Sequence, residues 1–221
     1  MRYILGIDTG GTLGSIALAK DGVAGAAVSL PAGGHSSLLA SAVERLLSAD
    51  AVPVLGLAGV AVSEGPGSFT GLRIGLAWAK GIAAGAGVSL VLVSPHEAAA
   101  HASRGVPRFG TLTPGERGHG MIALWSGGKT AQLLWGPEVI PEESLMERLR
   151  EAAKGDVPVI AASEKLEELI LDLGGNLLPI APLGPAIAEL GDRALLEGRM
   201  ADPRTAAPAY GRAPNARKPN R

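Results

Sequence analysis

Five residues near the N-terminus, Asp8-Thr9-Gly10-Gly11-Thr12, combine the groups needed to hold a phosphate. Glycines let backbone N–H groups close on phosphate oxygens, and an aspartate beside them holds Mg²⁺ through water. Taken alone, five such residues more often form a tight hairpin in which Asp8 and Thr9 bond their own backbone. A second candidate, His96-Glu97-Ala98-Ala99-Ala100-His101, has the residue types of a zinc helix. Its spacing fails, because zinc helices place their histidines at i and i+4. At i and i+5, His96 and His101 point about 140° apart around a helix of 3.6 residues per turn. His35 and His119 have no partner in sequence, and all four histidines read as solvated or capping groups. No Ser-His-Asp or Cys-His arrangement and no Gly-x-Ser-x-Gly is identifiable. The expectation is a chain with no catalytic and no metal-ligating residues of its own.

The most informative stretch is 64–81, Glu-Gly-Pro-Gly-Ser-Phe-Thr-Gly-Leu-Arg-Ile-Gly-Leu-Ala-Trp-Ala-Lys-Gly. An apolar run, Leu57–Val62, precedes it as a buried strand, and Ser68 or Thr70 caps a following helix. Gly71, Gly75 and Ala79 then fall at i, i+4 and i+8, a stripe with almost no side chain. A mid-helix glycine costs roughly 1 kcal/mol against alanine, so something must come close to that stripe, either a neighbouring helix or a ligand. The opposite stripe, Ile74, Trp78 and Ile82, reads as the core face. Arg73, just inside the helix, suits either an anion or a surface ion pair.

The elements that must position these residues follow from periodicity. Tyr3–Asp8, Gly14–Lys20 and Val23–Leu30 read as strands, with Asp21-Gly22 as a hairpin turn. Ser36–Ser48 is an amphipathic helix, Leu57–Ser63 a strand, Thr70–Ala84 a helix and Val88–Val93 a strand. Pro95 starts a short helix that includes Glu97–Ser103. Gly105–Pro107 is the expected boundary, dividing the chain into 1–104, a second α/β unit over 105–201, and a Pro-rich basic tail over 202–221 whose Tyr210 and Arg212 are expected to return to the first unit. In the second unit Phe109–Thr113, His119–Trp125, Thr130–Trp135, Val157–Ala161 and Leu177–Ile180 read as strands. Glu142–Lys154, Glu164–Leu171 and Pro185–Glu197 read as helices. The tail carries four arginines and Lys218 with no acid after Asp202, which suits an extended segment.

Composition bounds the function. The chain has 221 residues, 47% hydrophobic and only 3% aromatic, so its core is aliphatic and alanine-rich. A net charge of −1 makes the molecule as a whole a poor electrostatic binder of nucleic acid. The absence of cysteine excludes disulfides and thiolate metal sites. Asp8 breaks the only apolar N-terminal stretch, and no segment reaches the ~18 apolar residues of a membrane span. The expected location is the cytoplasm.

Residues 65–83 closely resemble the signature of the bacterial TsaB (YeaZ) family, inactive relatives of the TsaD proteins. Ile4–Thr9 with Ser15–Leu18 resembles that family's first hairpin. His35-Ser36-Ser37-Leu38-Leu39 resembles the start of its first helix, Val93–Ala98 the segment after its next strand, and Pro208–Pro214 its C-terminal tyrosine–arginine motif. The match is dense over 1–100, thin over 105–200, and resumes at the tail. The resemblance implies an α/β actin-like ATPase fold of two lobes with mixed sheets, the second reduced. It implies a non-catalytic subunit that supports a TsaD-like catalytic subunit in making threonylcarbamoyladenosine next to the anticodon of tRNA. A TsaE-like P-loop ATPase is then a further partner, tRNA is met only through the complex, and the chain alone is a homodimer. The implied interface residues are Ser37, Ser41, Gly71, Arg73, Gly75 and Ala79, with no cofactor required beyond weak ATP or ADP with Mg²⁺ at the complex interface.

The chain departs from the family in two places. Gly10 and Gly11 stand where relatives usually carry serine or threonine. Pro114 and Glu116 stand about where relatives carry Asp and Arg, so the second acidic turn of an actin-like ATPase is missing. Gly174-Gly175 suits an adenosine cradle or, more simply, a helix C-cap. The alternative function is an actin-like-fold kinase of a small metabolite, resting on Asp8–Thr12.

Overall fold

The computed structural model describes residues 1–11, 13–31, 35–115 and 117–210, with the side chains of His35 and Ser36 set aside. Thr12, Glu116, Arg212 and the tail from 213 onward therefore lie outside the described residues. The first sheet is built from β1 (Tyr3–Asp8), β2 (Gly14–Lys20), β3 (Val23–Ala24), β4 (Val28–Leu30), β5 (Gly59–Ser63) and β6 (Ser89–Val93). Its order is β3-β2-β1-β5-β6, with β4 also paired to β2. β1 runs antiparallel to β2 and parallel to β5, which is parallel to β6. The parallel strands are continuous apolar runs because helices cover both of their faces.

Helices α1 (His35–Ala49) and α2 (Phe69–Ala86) cover one face, where Leu5, Ile7, Leu39, Val62, Leu76 and Ala79 share a core. Helix α3 (Pro95–Ala102) leads from β6 to the second sheet, and α6 (Gly184–Leu196) covers the other face of the first. There Ile4, Ala61, Val91 and Ile187 pack together with Phe109 and Trp125 of the second sheet.

The second sheet has the order β10-β7-β8-β9, from β7 (Arg108–Pro114), β8 (His119–Ser126), β9 (Gln132–Pro141) and β10 (Val159–Ala161). Helices α4 (Leu145–Ala153) and α5 (Glu164–Asp172) enclose a third core against it, around Leu112, Ile122, Leu149 and Ile170.

Several expectations are corrected. Val23–Leu30 is two short strands separated by Gly25–Ala27, and β9 is longer than Thr130–Trp135. Leu177–Ile180 is no strand; only Leu177 bridges to Val159. The last helix, placed by chain order in the unit 105–201, sits on the first sheet instead, through the small residues Gly184, Ala188 and Gly191. The chain then stays there: the Ala201 N–H donates to Leu90 O at 2.8 Å and the Ala209 N–H to Glu64 O at 2.7 Å.

Candidate functional site

The Asp8 turn satisfies itself. Asp8 Oδ1 accepts the Gly10 N–H at 3.0 Å, and Gly10 O accepts the Ser68 N–H at 2.8 Å. Thr9 turns its hydroxyl under α2, donating to Gly71 O at 2.7 Å. This is the hairpin reading of the motif. Asp8 ends β1 beside Ser63 at the end of β5 and is 2% exposed. Burial pushes its carboxyl up to about 6, against the Gly10 N–H and the Ser63 hydroxyl, which favour the charged form. The Ser63 hydroxyl does so without reaching hydrogen-bond geometry, and it has no partner among the described residues.

Asp8, Gly10 and Gly11 line one wall of a cleft of about 170 Å³ between the two sheets. Ser163, Glu164 and Glu167, at the start of α5, line the other. Ser163 caps α5, its side chain accepting the Leu166 N–H, so the facing wall presents carboxylates rather than a second phosphate-binding turn.

The stripe of Gly71, Gly75 and Ala79 faces inward. A Cβ on Gly71 would run into the backbone oxygen of Thr9, and one on Gly75 into the Thr9 hydroxyl and Val62. Ala79 is fully buried. The close neighbour is the chain's own β1 end, so these three residues cannot touch a partner. The opposite stripe is the one that reaches solvent. Ile74, Trp78 and Ile82 are half-buried, and Ala77, Gly81 and Gly85 are exposed. Val54, Ala77, Trp78, Gly81, Ile82, Gly85 and Ala86 line an open apolar groove of about 420 Å³. The stripe expected to meet a partner is thus buried, and the stripe expected as core is half-buried, packed at the edge of the core. Period alone locates a small-residue stripe without saying which side the sheet lies on.

Arg73 makes no ion pair among the described residues. Its guanidinium lies 3.8 Å from the Phe69 ring centre and donates from Nε to Tyr210 Oη at 2.9 Å. Ser37 and Ser41 are exposed on α1, and the Ser41 hydroxyl donates to Leu38 O at 3.0 Å.

The histidines separate into three environments. His96 is neither solvated nor capping: it is 1% exposed, between Thr111 Oγ1 at 2.7 Å and Thr113 Oγ1 at 2.9 Å. Burial lowers its pKa to about 4, so it stays neutral and ties α3 to β7. The alternation of Thr111 and Thr113 on one face of a strand was the available signal. His101 meets Glu189 Oε2 at 2.6 Å on α6, and His119 meets Arg117 O at 3.2 Å. Among the described residues no three His, Asp or Glu side chains are grouped to hold a metal.

The family model of TsaD, tRNA N6-adenosine threonylcarbamoyltransferase, matches residues 25–174. The chain belongs to this family, in its TsaB (YeaZ) branch. It is 36% identical over 91 residues to the tRNA threonylcarbamoyladenosine biosynthesis protein TsaB of Escherichia coli, a match that covers 41% of the chain and 39% of that protein's length. YeaZ from Pseudomonas aeruginosa has the same fold, with a TM-score of 0.75 and 21% identity over 95% of this chain and 100% of that one. A second P. aeruginosa structure, described as similar to the peptidase YeaZ, gives a TM-score of 0.75 at 20% identity over 96% and 100%.

As a TsaB-type chain it carries the actin-like ATPase fold of two mixed sheets, and its cleft occupies the junction between them. Tyr210 reaches the start of α2, its ring centre 4.7 Å from that of Phe69.

Proposed function

We propose that this chain is a non-catalytic subunit that binds a TsaD-type catalytic subunit and supports threonylcarbamoylation of the adenosine next to the anticodon of tRNA. The observation that carries the reading is the groove on the outer face of α2. A Cβ added at Gly81 or Gly85 would meet nothing within 4 Å. Half-buried Trp78 and Ile82 flank this empty row, and apolar surface of that kind is covered by a partner. A helix of the catalytic subunit fills it in the complex, and a second copy covers it when the chain is alone. The self-bonded Asp8 turn and the acids facing it support a subunit that performs no phosphoryl transfer. In this reading a TsaE-like ATPase is the third partner, tRNA is met only through the assembly, and the site of action is the cytoplasm. Any ATP or ADP with Mg²⁺ binds weakly at the complex interface.

The test is reconstitution with the TsaD-type subunit from the same cell. Gly81→Leu is expected to abolish the complex on gel filtration and the modification of tRNA read by mass spectrometry, with the far-ultraviolet circular dichroism of the isolated chain unchanged. An intact complex with Gly81→Leu removes the reading. The kinase alternative retains one observation, the buried Asp8 carboxyl on the cleft. Calorimetry of the isolated chain with ATP and Mg²⁺ is expected to show weak binding or none, and micromolar binding would favour the kinase.

A further inference from the structure

The exposed row of α2 does not end at the groove. Arg73, Ala77 and Gly81 follow one another at i, i+4 and i+8, so the guanidinium stands at the N-terminal end of the same row that Ala77 and Gly81 open to solvent. Arg73 is exposed but held. Its guanidinium is 3.8 Å from the Phe69 ring centre and 5.8 Å from that of Tyr210, and its Nε donates to Tyr210 Oη at 2.9 Å. Tyr210 is itself held, because the preceding Ala209 N–H is bonded to Glu64 O at 2.7 Å, while Lys80 Nζ donates to Ala206 O at 3.0 Å. The C-terminal strap therefore fixes the direction of the guanidinium.

Both terminal nitrogens of Arg73 are without a hydrogen bond or ion pair among the described residues. Helix α2 contains no Asp or Glu; its cations are Arg73 and Lys80, and Lys80 is already turned to Ala206 O, which leaves the Arg73 fork as the open charge beside the apolar groove. A planar fork already stacked and oriented loses little freedom on meeting a second planar anion. The groove beside it takes apolar side chains, so its occupant is a protein, and the anion a protein brings to a fork is a carboxylate.

We propose that Arg73, held by Phe69 and Tyr210, is a carboxylate receptor at the end of the α2 groove, paired with an Asp or Glu on the partner helix that lies there. This rests on the reading of the groove as the subunit interface. It makes Arg73 and the strap, rather than the inward Gly71–Gly75–Ala79 stripe, the device that sets partner register. Glycines and apolar side chains permit a helix to slide, whereas one bidentate pair does not.

The measurement is the affinity of the full chain for the TsaD-type subunit of the same cell, at low and at physiological salt. Arg73→Ala is expected to weaken binding about 30-fold, the scale of a charged hydrogen bond, and to flatten the salt dependence. Arg73→Lys is expected to lose nearly as much, because an ammonium neither forks nor stacks. Tyr210→Phe, which frees Nε without touching the ring, is expected to lose about 3-fold, a fraction of one such bond. Wild-type affinity for Arg73→Lys would reduce the residue to a bare charge and overturn the proposal. Unchanged subunit binding by Arg73→Ala with weaker capture of tRNA by the complex would assign the fork to phosphate and overturn it too. Gly81→Leu separates the two levels. If it abolishes binding while Arg73→Ala does not, the groove stands and the fork falls; if it leaves binding intact, both fall.

Discussion

The two faces of α2 are made of the same small residues and have opposite meanings. On the inner face, Gly71 and Gly75 are glycines because the Thr9 backbone and hydroxyl occupy the space of a side chain. On the outer face, Gly81 and Gly85 have no neighbour within 4 Å of a side-chain atom that would replace their hydrogen. The inner stripe packs against the chain's own β1 end, and the outer one is open to solvent. Burial, more than residue type, decides which part of a helix serves stability and which is left open to solvent.

Gly75→Leu breaks the inner face and has the largest expected effect. The new side chain meets the Thr9 hydroxyl, with Val62 at 3.4 Å and Ile7 at 3.6 Å behind it, and it displaces the Thr9–Gly71 hydrogen bond. Overpacking and a lost buried hydrogen bond together cost about 4 kcal/mol or more, a large fraction of the stability of an ordinary domain. The variant should be insoluble or melt far below the parent by circular dichroism. A parent-like melt would put the stripe on the outside after all.

Acid titration asks how dry the inner side is. His96 is lowered to about 4 by burial, below an unfolded value of about 6.5. The unfolded chain therefore takes the proton first, and stability falls as pH drops from about 6.5 to about 4, by about 3 kcal/mol. Asp8 acts with the opposite sign. Its folded value of about 6 stands above the ordinary 3.8, so the folded chain takes the proton first. Stability rises as pH drops from about 6 to about 4, again by about 3 kcal/mol. In the parent the two nearly cancel. Urea unfolding of Asp8→Asn should expose the His96 loss alone. His96→Phe, weaker at neutral pH by about 2 kcal/mol for its lost hydrogen bonds, should instead gain stability on acidification. An Asp8→Asn profile parallel to the parent's would mean that water reaches the carboxyl.

The strap forms a third region over α2. Removing 201–221 deletes the Ala201–Leu90 and Ala209–Glu64 hydrogen bonds and uncovers the core where Ala201 and Ala206 pack. A loss of about 2 kcal/mol is expected.

Much of this was legible in sequence because local periodicity and caps suffice for it. The strands Tyr3–Asp8 and Gly14–Lys20 lie where alternation and the Asp21-Gly22 turn place them. Ser68 caps α2, with its side chain accepting the Gly71 N–H. The return of Tyr210 to the first lobe was also expected. What failed were long-range assignments. The position of α6 on the first sheet depends on which sheet face is uncovered, a fact no 13-residue window contains. The orientation of α2 failed for the same reason: a helix with Gly and Ala on one side and Ile and Trp on the other admits both packings. His96 was misread because its partners, Thr111 and Thr113, lie on the next lobe.

The smallest effect discriminates the two faces most finely, because it reverses sign. Gly81 sits mid-helix, with ordinary helical backbone and open space beside it. Alanine there removes the entropy cost of glycine without touching anything, so Gly81→Ala should stabilise the isolated chain by about 1 kcal/mol. That raises the melting temperature by about 3 °C for a chain of this size. Gly75→Ala makes the same chemical change six residues earlier and should lower it, since its Cβ runs into the Thr9 hydroxyl with Val62 and Ile7 behind it. The sum of helix propensity is identical in the two variants, so any difference between them is packing alone. Equal shifts would mean that Thr9 can turn aside and that α2 has no fixed inner face. Opposite shifts would locate the boundary between fold and interface within six residues of one helix.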